Sequence, residues 1–223
     1  MKDTLKTFKI DNKIEVIPNF INIEDYKAST GNCSKKHYAP HGEKIMVHVS
    51  NFRKVKRVED VVEIFNKVRS KIKCKLILVG DGPERSAIET LARKSKHHSD
   101  IISLGRIPNP MDVLCIGDLF LLPSETESFG LAALEAMAMK MPVISTNAGG
   151  LPEVNINGKT GFTSNVGNVT EMAANAIKLL SDDKLLEKFR QNAYAHAKKF
   201  DVNVILPMYE NLYKRLVTKN NKK

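Results

Sequence analysis

The chain has 223 residues, 42% hydrophobic and 27% charged, which is the composition of an ordinary soluble globular domain. No apolar run approaches the ~18 residues of a membrane-spanning helix, and the N-terminus shows no secretory signal, so we expect a cytoplasmic protein. Lys and Arg number 35 against 25 Asp and Glu, a net charge of +10 that favours anionic ligands such as phosphates.

The three cysteines, Cys33, Cys74 and Cys115, are widely spaced and form no CxxC motif. An odd count without such a framework favours reduced thiols, as in cytosolic proteins. Cys33, His37 and His41 are spaced by four residues, as some metal ligands are. Because their segment is loop-like and offers no fourth ligand, we expect no metal site and no metal cofactor.

Short apolar runs alternate with amphipathic helical patterns along the chain. The predicted strands are residues 14–17, 45–49, 76–79, 101–104, 119–122, 142–146 and 161–163. Helices are predicted at 58–72, from Pro83 onwards, at 111–116 and 130–139, and in three segments after Asn168. Continuous apolar strands joined by helices are typical of a parallel sheet covered on both faces. The sequence therefore predicts an α/β fold with a doubly wound, Rossmann-like parallel sheet.

Ligands of such sheets bind outside the carboxyl ends of the strands, so the loops after the predicted strands are candidate sites. The turn after residue 79, with Gly80 and Gly82, resembles the beginning of a dinucleotide fingerprint. It has Arg85 in place of the third glycine, and Pro83 lacks an amide that could bind a pyrophosphate. A turn without a phosphate role is therefore favoured there.

Residues 123–136 carry the clearest indication of chemistry. A buried strand ends, an acidic loop follows, and a helix begins near Gly130. Unpaired amides at a helix N-terminus bind phosphate, and a glycine lets the ligand approach the backbone. Glu127 lies just before this helix and Glu135 about two turns inside it. Periodicity fits Glu135 equally well to a solvated face and to a cleft, where it would accept hydrogen bonds from vicinal hydroxyls.

A basic loop, residues 51–57, follows the strand predicted at 45–49. Cations beside a leaving diphosphate stabilise the negative charge that grows in the transition state. We assign this role to Arg53 and Lys56 and interpret Lys54 as solvated. Nine basic and three acidic residues lie between positions 53 and 75. A solvated face is the favoured interpretation for most of them, and contact with anionic lipid is an alternative for residues 67–75.

Several motifs occur in a fixed order over residues 14–217. Glu127 and Glu135 form an E-x7-E pattern that follows Ser124. The accompanying motifs are Val79-Gly80-Asp81-Gly82-Pro83, Leu104-Gly105-Arg106, Gly149-Gly150-Leu151-Pro152-Glu153 and Asn157-Gly158-Lys159-Thr160-Gly161-Phe162. This ordered set resembles the donor site of the retaining family-4 glycosyltransferases, which have the GT-B fold.

The resemblance implies a role for each matching residue. Glu127 would contact hydroxyls of the donor sugar, and Glu135 would hold the ribose hydroxyls. Arg53 and Lys56 would clamp the phosphates, with Asn51 near the usual arginine position. The diphosphate would lie against the backbone of Ser128, Phe129, Gly130 and Leu131, and the base against Gly105, Arg106 and Ile107.

Residues 16–21, 50–57 and 123–130 are most similar to the members of this family that act in bacillithiol biosynthesis. Those enzymes transfer GlcNAc from UDP-GlcNAc to the hydroxyl of L-malate with retention at the anomeric carbon. The resemblance therefore implies a UDP-sugar as donor substrate, L-malate as acceptor and no metal. GT-B enzymes have two Rossmann-like domains, and this chain matches the donor-binding half.

We accordingly expect residues 1–22 to be a remnant of an N-terminal domain and linker. Residues 23–200 would form the nucleotide-sugar-binding domain, and residues 201–223 a C-terminal helix and basic tail. A missing N-terminal GT-B domain is the expected partner, because it would carry most of the acceptor site. The oligomeric state stays open, a homo-oligomer included.

Two other functions are compatible with the sequence. One is a non-catalytic module that binds a nucleotide sugar, and the other is a membrane-surface glycosyltransferase with a lipid or polysaccharide acceptor. Nucleic-acid binding is disfavoured, because aromatic residues make up only 6% of the chain and Trp is absent. The basic residues therefore lack the stacking platform that single-stranded nucleic acids need.

Overall fold

The computed structural model describes residues 14–28 and 34–220. Its strands are β1 (Lys44–Val49), β2 (Cys74–Val79), β3 (Ile101–Gly105), β4 (Leu119–Leu122), β5 (Val143–Thr146) and β6 (Gly161–Ser164). They pair in parallel, in the order β3-β2-β1-β4-β5-β6. The predicted doubly wound parallel sheet is confirmed. The strand predicted at residues 14–17 is wrong, since this segment is irregular and Ile14 is 41% exposed.

The described helices are α1 (Ile23–Ala28), α2 (Lys35–Tyr38), α3 (Val58–Arg69), α4 (Arg85–Lys94), α5 (Met111–Leu114), α6 (Leu131–Ala138), α7 (Leu151–Val154), α8 (Val169–Leu180), α9 (Asp183–Ala197) and α10 (Val202–Asn220). Seven of the helices follow the predicted segments with small shifts at their ends, and three short ones, α1, α2 and α7, were not predicted. None of the helices in the described ranges combines the length and the apolar character that crossing a membrane requires.

Both faces of the sheet are packed, as the apolar strands predicted. On one face Val47 and Phe120 pack in a core with residues of α6 and α9. On the other face Met46 and Leu78 pack in a core with residues of α3 and α8. Successive strand residues point to opposite faces, so β1 contributes to both cores. Each fully buried Val, Leu, Ile or Phe contributes about 1.5–3 kcal/mol relative to an exposed one.

The strand order places the topological switch point between β1 and β4. The chain leaves β1 towards β2 and leaves β4 towards β5, so the loops after these two strands diverge and a crevice opens between them. The amide of Glu125 donates to the carbonyl of Val55 at 2.8 Å, which joins the two loops. Residues 50–57 and 123–130, distant in sequence, thus face each other.

The basic segment between positions 53 and 75 is largely paired with acids. Arg69 and Lys75 bind the two carboxylate oxygens of Asp100 at 2.7 and 2.5 Å. Burial raises the pKa of Asp100, but these two cations together outweigh it and the net shift is downward. Arg57 likewise binds Asp60 at 2.7 Å. Much of this positive charge is therefore paired within the fold and is not available to bind an anionic ligand.

The two cysteines in the described residues, Cys74 and Cys115, differ in whether their sulfur is free or disulfide-bonded. Cys74 is a buried free thiol in β2, and burial raises its pKa to about 12. Cys115 is disulfide-bonded, so the expectation of reduced thiols is wrong at this position. Cys33, which belonged to the rejected metal interpretation, lies outside the described residues. Within the described ranges, no group of three His, Cys, Asp or Glu side chains could hold a metal ion.

Candidate functional site

A cleft of about 200 Å³ opens at the switch point, between the loops that follow β1 and β4. It brings together most of the residues predicted for the phosphates and the donor sugar. Those on its wall are Asn51, Lys56, Glu127, Ser128, Phe129, Gly130 and Leu131. The wall also includes Asn19, Val49, Ser50, Leu122 and Ala132, for which the sequence analysis predicted no role.

A second cleft, of about 500 Å³, continues from the first towards β3. The two share Val49, Ser50 and Asn51. The predicted base-binding residues Arg106 and Ile107 lie on the second wall, together with Val79, Gly80, Asp81, Gly82 and Pro110. Gly105 is not on this wall, but its carbonyl accepts a hydrogen bond from the Gly80 amide at 2.8 Å and so joins the two turns.

Lys56 and Glu127 form an ion pair inside the first cleft. The Lys56 Nζ donates to the Glu127 Oε1 at 2.5 Å, and the two side chains are only 19% and 12% exposed. The Ser124 hydroxyl donates to the same oxygen at 3.0 Å. Ser124 is itself fully buried, and its carbonyl accepts from the Thr146 hydroxyl at 2.6 Å. These hydrogen bonds fix the position of the Glu127 carboxylate. Its Oε2 atom accepts no hydrogen bond from any of the described residues.

The N-terminus of α6 lies on the same cleft wall as this pair. Gly130 precedes the helix with a φ of 95°, a left-handed conformation that favours glycine. The Gly130 carbonyl accepts from the amides of Ala133 and Leu134. None of the described residues accepts a hydrogen bond from the amides of Phe129, Gly130, Leu131 or Ala132. These free donors and the positive end of the helix dipole form an anion site.

Gly149 and Gly150 pack closely against the backbone of the acidic loop. A Cβ on Gly149, whose φ is 58°, would lie 1.9 Å from the Glu127 carbonyl oxygen. A Cβ on Gly150 would lie 2.3 Å from the Ser128 carbonyl oxygen. The Gly150 amide donates to the Glu127 carbonyl at 2.8 Å. The Gly149-Gly150 motif is thus a place of close backbone approach that positions Glu127.

Glu135 lies one turn beyond Leu131 on α6, partly buried and on the wall of neither cleft. Tyr26, a buried residue of α1, has its hydroxyl close enough to this carboxylate to affect the pKa of Glu135. Burial raises the pKa of Glu135, and the Tyr26 hydroxyl opposes that rise. Burial, followed by the nearby Glu135 charge, raises the pKa of Tyr26. Glu135 is therefore a partly buried carboxylate beside Tyr26, and its role towards ribose hydroxyls stays a prediction.

Arg53 was predicted to bind the phosphates, but it lies outside both clefts. It is exposed and lies on the wall of neither cleft, whereas Lys56, three residues later, lies on the first wall. Lys56 ends a short 3-10 turn, Lys54–Lys56, whereas Arg53 precedes that turn in an extended conformation. Lys54 is exposed, as predicted for a solvated lysine.

Sequence reasoning missed the pair formed by His48 and Ser50. His48 is fully buried in β1, with Nδ1 2.8 Å from the Leu121 carbonyl oxygen and Nε2 2.7 Å from the Ser50 hydroxyl. Burial lowers the pKa of His48 to about 4. The available signal was a histidine inside an otherwise apolar strand, which requires a buried partner for each ring nitrogen.

The comparisons with known proteins agree with this geometry. Residues 30–196 match the family model described as glycosyl transferases group 1. The chain is 40% identical to N-acetyl-alpha-D-glucosaminyl L-malate synthase of Bacillus anthracis over 218 residues, which cover 96% of this chain and 56% of that protein. It is 30% identical to 2-deoxystreptamine N-acetyl-D-glucosaminyltransferase of Niallia circulans over 186 residues, which cover 81% and 48%.

A solved structure shows the same architecture. The crystal structure of an S. aureus TarM mutant with fondaparinux, alpha-GlcNAc-glycerol and UDP matches with a TM-score of 0.79 and 25% identity, covering 95% of this chain and 41% of that chain. This chain spans about half the length of the curated relatives named above. The family match covers most of the chain, and the fold agrees with it. The chain belongs to the group 1 glycosyl transferases, with the Rossmann-like fold found in GT-B enzymes.

Proposed function

We propose that this chain is the donor-binding half of a retaining glycosyltransferase that transfers GlcNAc from UDP-GlcNAc to the hydroxyl of L-malate. The observation that carries the proposal is the Lys56–Glu127 pair, held within a cleft whose wall also includes the residues with free amides at the start of α6. The 40% identity to the L-malate synthase of Bacillus anthracis supports this choice of donor and acceptor. The acceptor site and the full activity require an N-terminal GT-B domain as partner, and the proposed location is the cytoplasm.

The leaving group is the part of the donor that this geometry suits best. The bond between the anomeric carbon and the diphosphate breaks, and its electron pair goes to UDP. Lys56 and the amides of Phe129, Gly130 and Leu131 stabilise the resulting negative charge. The acceptor hydroxyl attacks from the same face, and its proton goes to the departing diphosphate. The positive charge of Lys56 and of the helix end takes the place of a metal ion, so the proposed reaction is metal-independent.

Of the two carboxylate oxygens of Glu127, only Oε1 accepts hydrogen bonds from described residues. Lys56 and Ser124 both donate to Oε1, which leaves Oε2 to accept a hydrogen bond from a hydroxyl of the donor sugar. The base would enter the second cleft, against Arg106 and Ile107. Glu135 would hold ribose hydroxyls from the next turn of α6, beside Tyr26. Arg53 would take part in phosphate binding only if its side chain turned inward.

Calorimetric titration with UDP-GlcNAc, with UDP for comparison, tests the proposal. We expect saturable binding of both nucleotides by the folded chain. Lys56→Met should weaken UDP binding about 10- to 150-fold, because a hydrogen bond to a charged group contributes about 1.5–3 kcal/mol. Lys54→Met is the matched control and should bind normally, because Lys54 is exposed on the same turn. Absent binding by folded protein, or an equal loss in both variants, would contradict the proposed site.

The two alternative functions differ from this proposal in one measurement each. A non-catalytic module would bind UDP-GlcNAc but transfer nothing when an N-terminal domain is supplied in trans. A membrane-surface enzyme would bind anionic vesicles at low salt. The structure weakens the argument for the second, because Arg69 and Lys75 in the proposed lipid contact are paired with Asp100.

A further inference from the structure

The hydrogen bonds of His48 determine which of its ring nitrogens carries the proton. A carbonyl oxygen can only accept, so the Nδ1 that lies 2.8 Å from the Leu121 carbonyl must be the protonated nitrogen. The imidazole is buried and, with its lowered pKa, neutral at pH 7, so Nε2 carries a lone pair. The centroid of the His48 ring lies 6.2 Å from that of Phe52 and 6.5 Å from that of Phe120.

This tautomer determines the direction of the Ser50 hydroxyl. Its Oγ lies 2.7 Å from His48 Nε2, so the hydroxyl proton is donated to that lone pair. A serine hydroxyl has one proton, and a Ser50 that donates it to His48 offers a ligand only its oxygen lone pairs. The Ser50 side chain is partly exposed, and Ser50 lies on the walls of both clefts.

We propose that Ser50 is a ligand-binding residue that acts solely as a hydrogen-bond acceptor, and that His48 is the positioning residue that imposes this polarity. An acceptor at this point attracts a hydroxyl or N–H group and repels phosphate oxygens. Ser50 stands where the cleft of Gly80, Gly82 and Arg106 meets the cleft of the α6 amides. The part of a nucleoside diphosphate that lies between base and phosphates is the ribose. Given the proposed function, Ser50 accepts a hydrogen bond from a ribose hydroxyl.

The same geometry argues against another use of the pair. A serine beside a histidine can serve as an activated nucleophile when the imidazole is a strong enough base. Burial lowers the pKa of His48 to about 4, and the nearby Lys56 charge acts in the same direction. His48 is therefore a weak base, suited to orienting the Ser50 hydroxyl and not to removing its proton.

Two nucleotides that differ only in the ribose hydroxyls test this assignment. Ser50→Ala should weaken UDP binding about three- to tenfold, the range for one neutral hydrogen bond, and leave the binding of 2′,3′-dideoxy-UDP at the wild-type value. His48→Phe keeps an aromatic ring beside Phe52 and removes the acceptor of the Ser50 proton, so it should also weaken UDP binding selectively. Ser103→Ala, an exposed serine on β3, serves as control.

Long-range ¹H–¹⁵N NMR of the imidazole gives a readout that needs no ligand. We expect Nδ1 to be protonated and Nε2 to be unprotonated at neutral pH. A proton on Nε2, or an equal loss of both nucleotides in Ser50→Ala, would overturn the assignment. Normal UDP binding by Ser50→Ala would refute only the role of Ser50, whereas absent UDP binding by the folded wild-type chain would refute the proposed function.

Discussion

Replacing Gly130 with alanine tests whether the backbone at the start of α6 is as constrained as the structure indicates. Alanine would have to adopt a φ of 95°, which costs an L-residue about 1–2 kcal/mol. Its Cβ would also lie 2.7 Å from Cδ2 of Leu151, a fully buried side chain. Forcing a methyl group into a packed core costs about 1–3 kcal/mol more. The expected loss of stability is therefore about 2–5 kcal/mol.

Gly158 provides a matched control for the backbone contribution. Its φ is 72°, and a Cβ there would meet no atom within 4 Å. Gly158→Ala should therefore lose only the conformational contribution, about 1–2 kcal/mol. The difference between the variants, about 1–3 kcal/mol, isolates the contact with Leu151.

Urea unfolding followed by circular dichroism measures both variants under the same conditions. A double-mutant cycle with Leu151→Ala should show favourable coupling in the Gly130→Ala background, because the smaller side chain makes room for the added methyl group. Equal losses of stability in Gly130→Ala and Gly158→Ala, or the absence of coupling, would refute the reasoning about Leu151.

Two further predictions concern the charged groups. Tyr26→Phe removes a hydroxyl that lowers the pKa of Glu135, so that pKa should rise further and the loss of UDP affinity on acidification should begin at higher pH than in wild type. An unchanged pH profile of binding would contradict it. Asp100→Asn should destabilise the fold by about 1–2 kcal/mol at pH 7 through the lost bonds to Arg69 and Lys75. The folded pKa of Asp100 is lowered, so this stability is present above the unfolded pKa of about 3.9 and is lost as the pH falls below it. Urea unfolding of both proteins at pH 7 and pH 3 should show the difference shrinking, and a constant difference would be the contrary result.

Local patterns in the sequence sufficed for the class of fold. Apolar runs and helical stripes indicate which residues become buried, and apolar strands that alternate with helices are typical of a parallel sheet with two covered faces. The run at residues 14–17 shows the limit of such reasoning. It is apolar enough for a strand, but none of the described strands pairs with it, and the nearby Ile21 forms only an isolated bridge to Asp201.

The candidate site needed more than local pattern. Residue types and their places after strands pointed to Lys56, Glu127 and Gly130, but the same reasoning included Arg53, which faces outward. The direction of a loop side chain depends on the turn that carries it, here Lys54–Lys56, and residue type does not reveal that turn.

Contacts across long separations were decided by the tertiary structure. Lys56 and Glu127 are 71 residues apart in the chain, and they meet because β1 and β4 are neighbours in the sheet. The bond between Ser50 and His48 acquires its polarity from Leu121, 73 residues away from His48. Periodicity is a property of a few adjacent residues, whereas strand order and hydrogen-bond direction depend on which distant groups packing brings together. The chain's sequence therefore specifies its fold class and the chemistry available to it, and only the folded arrangement assigns each side chain a partner.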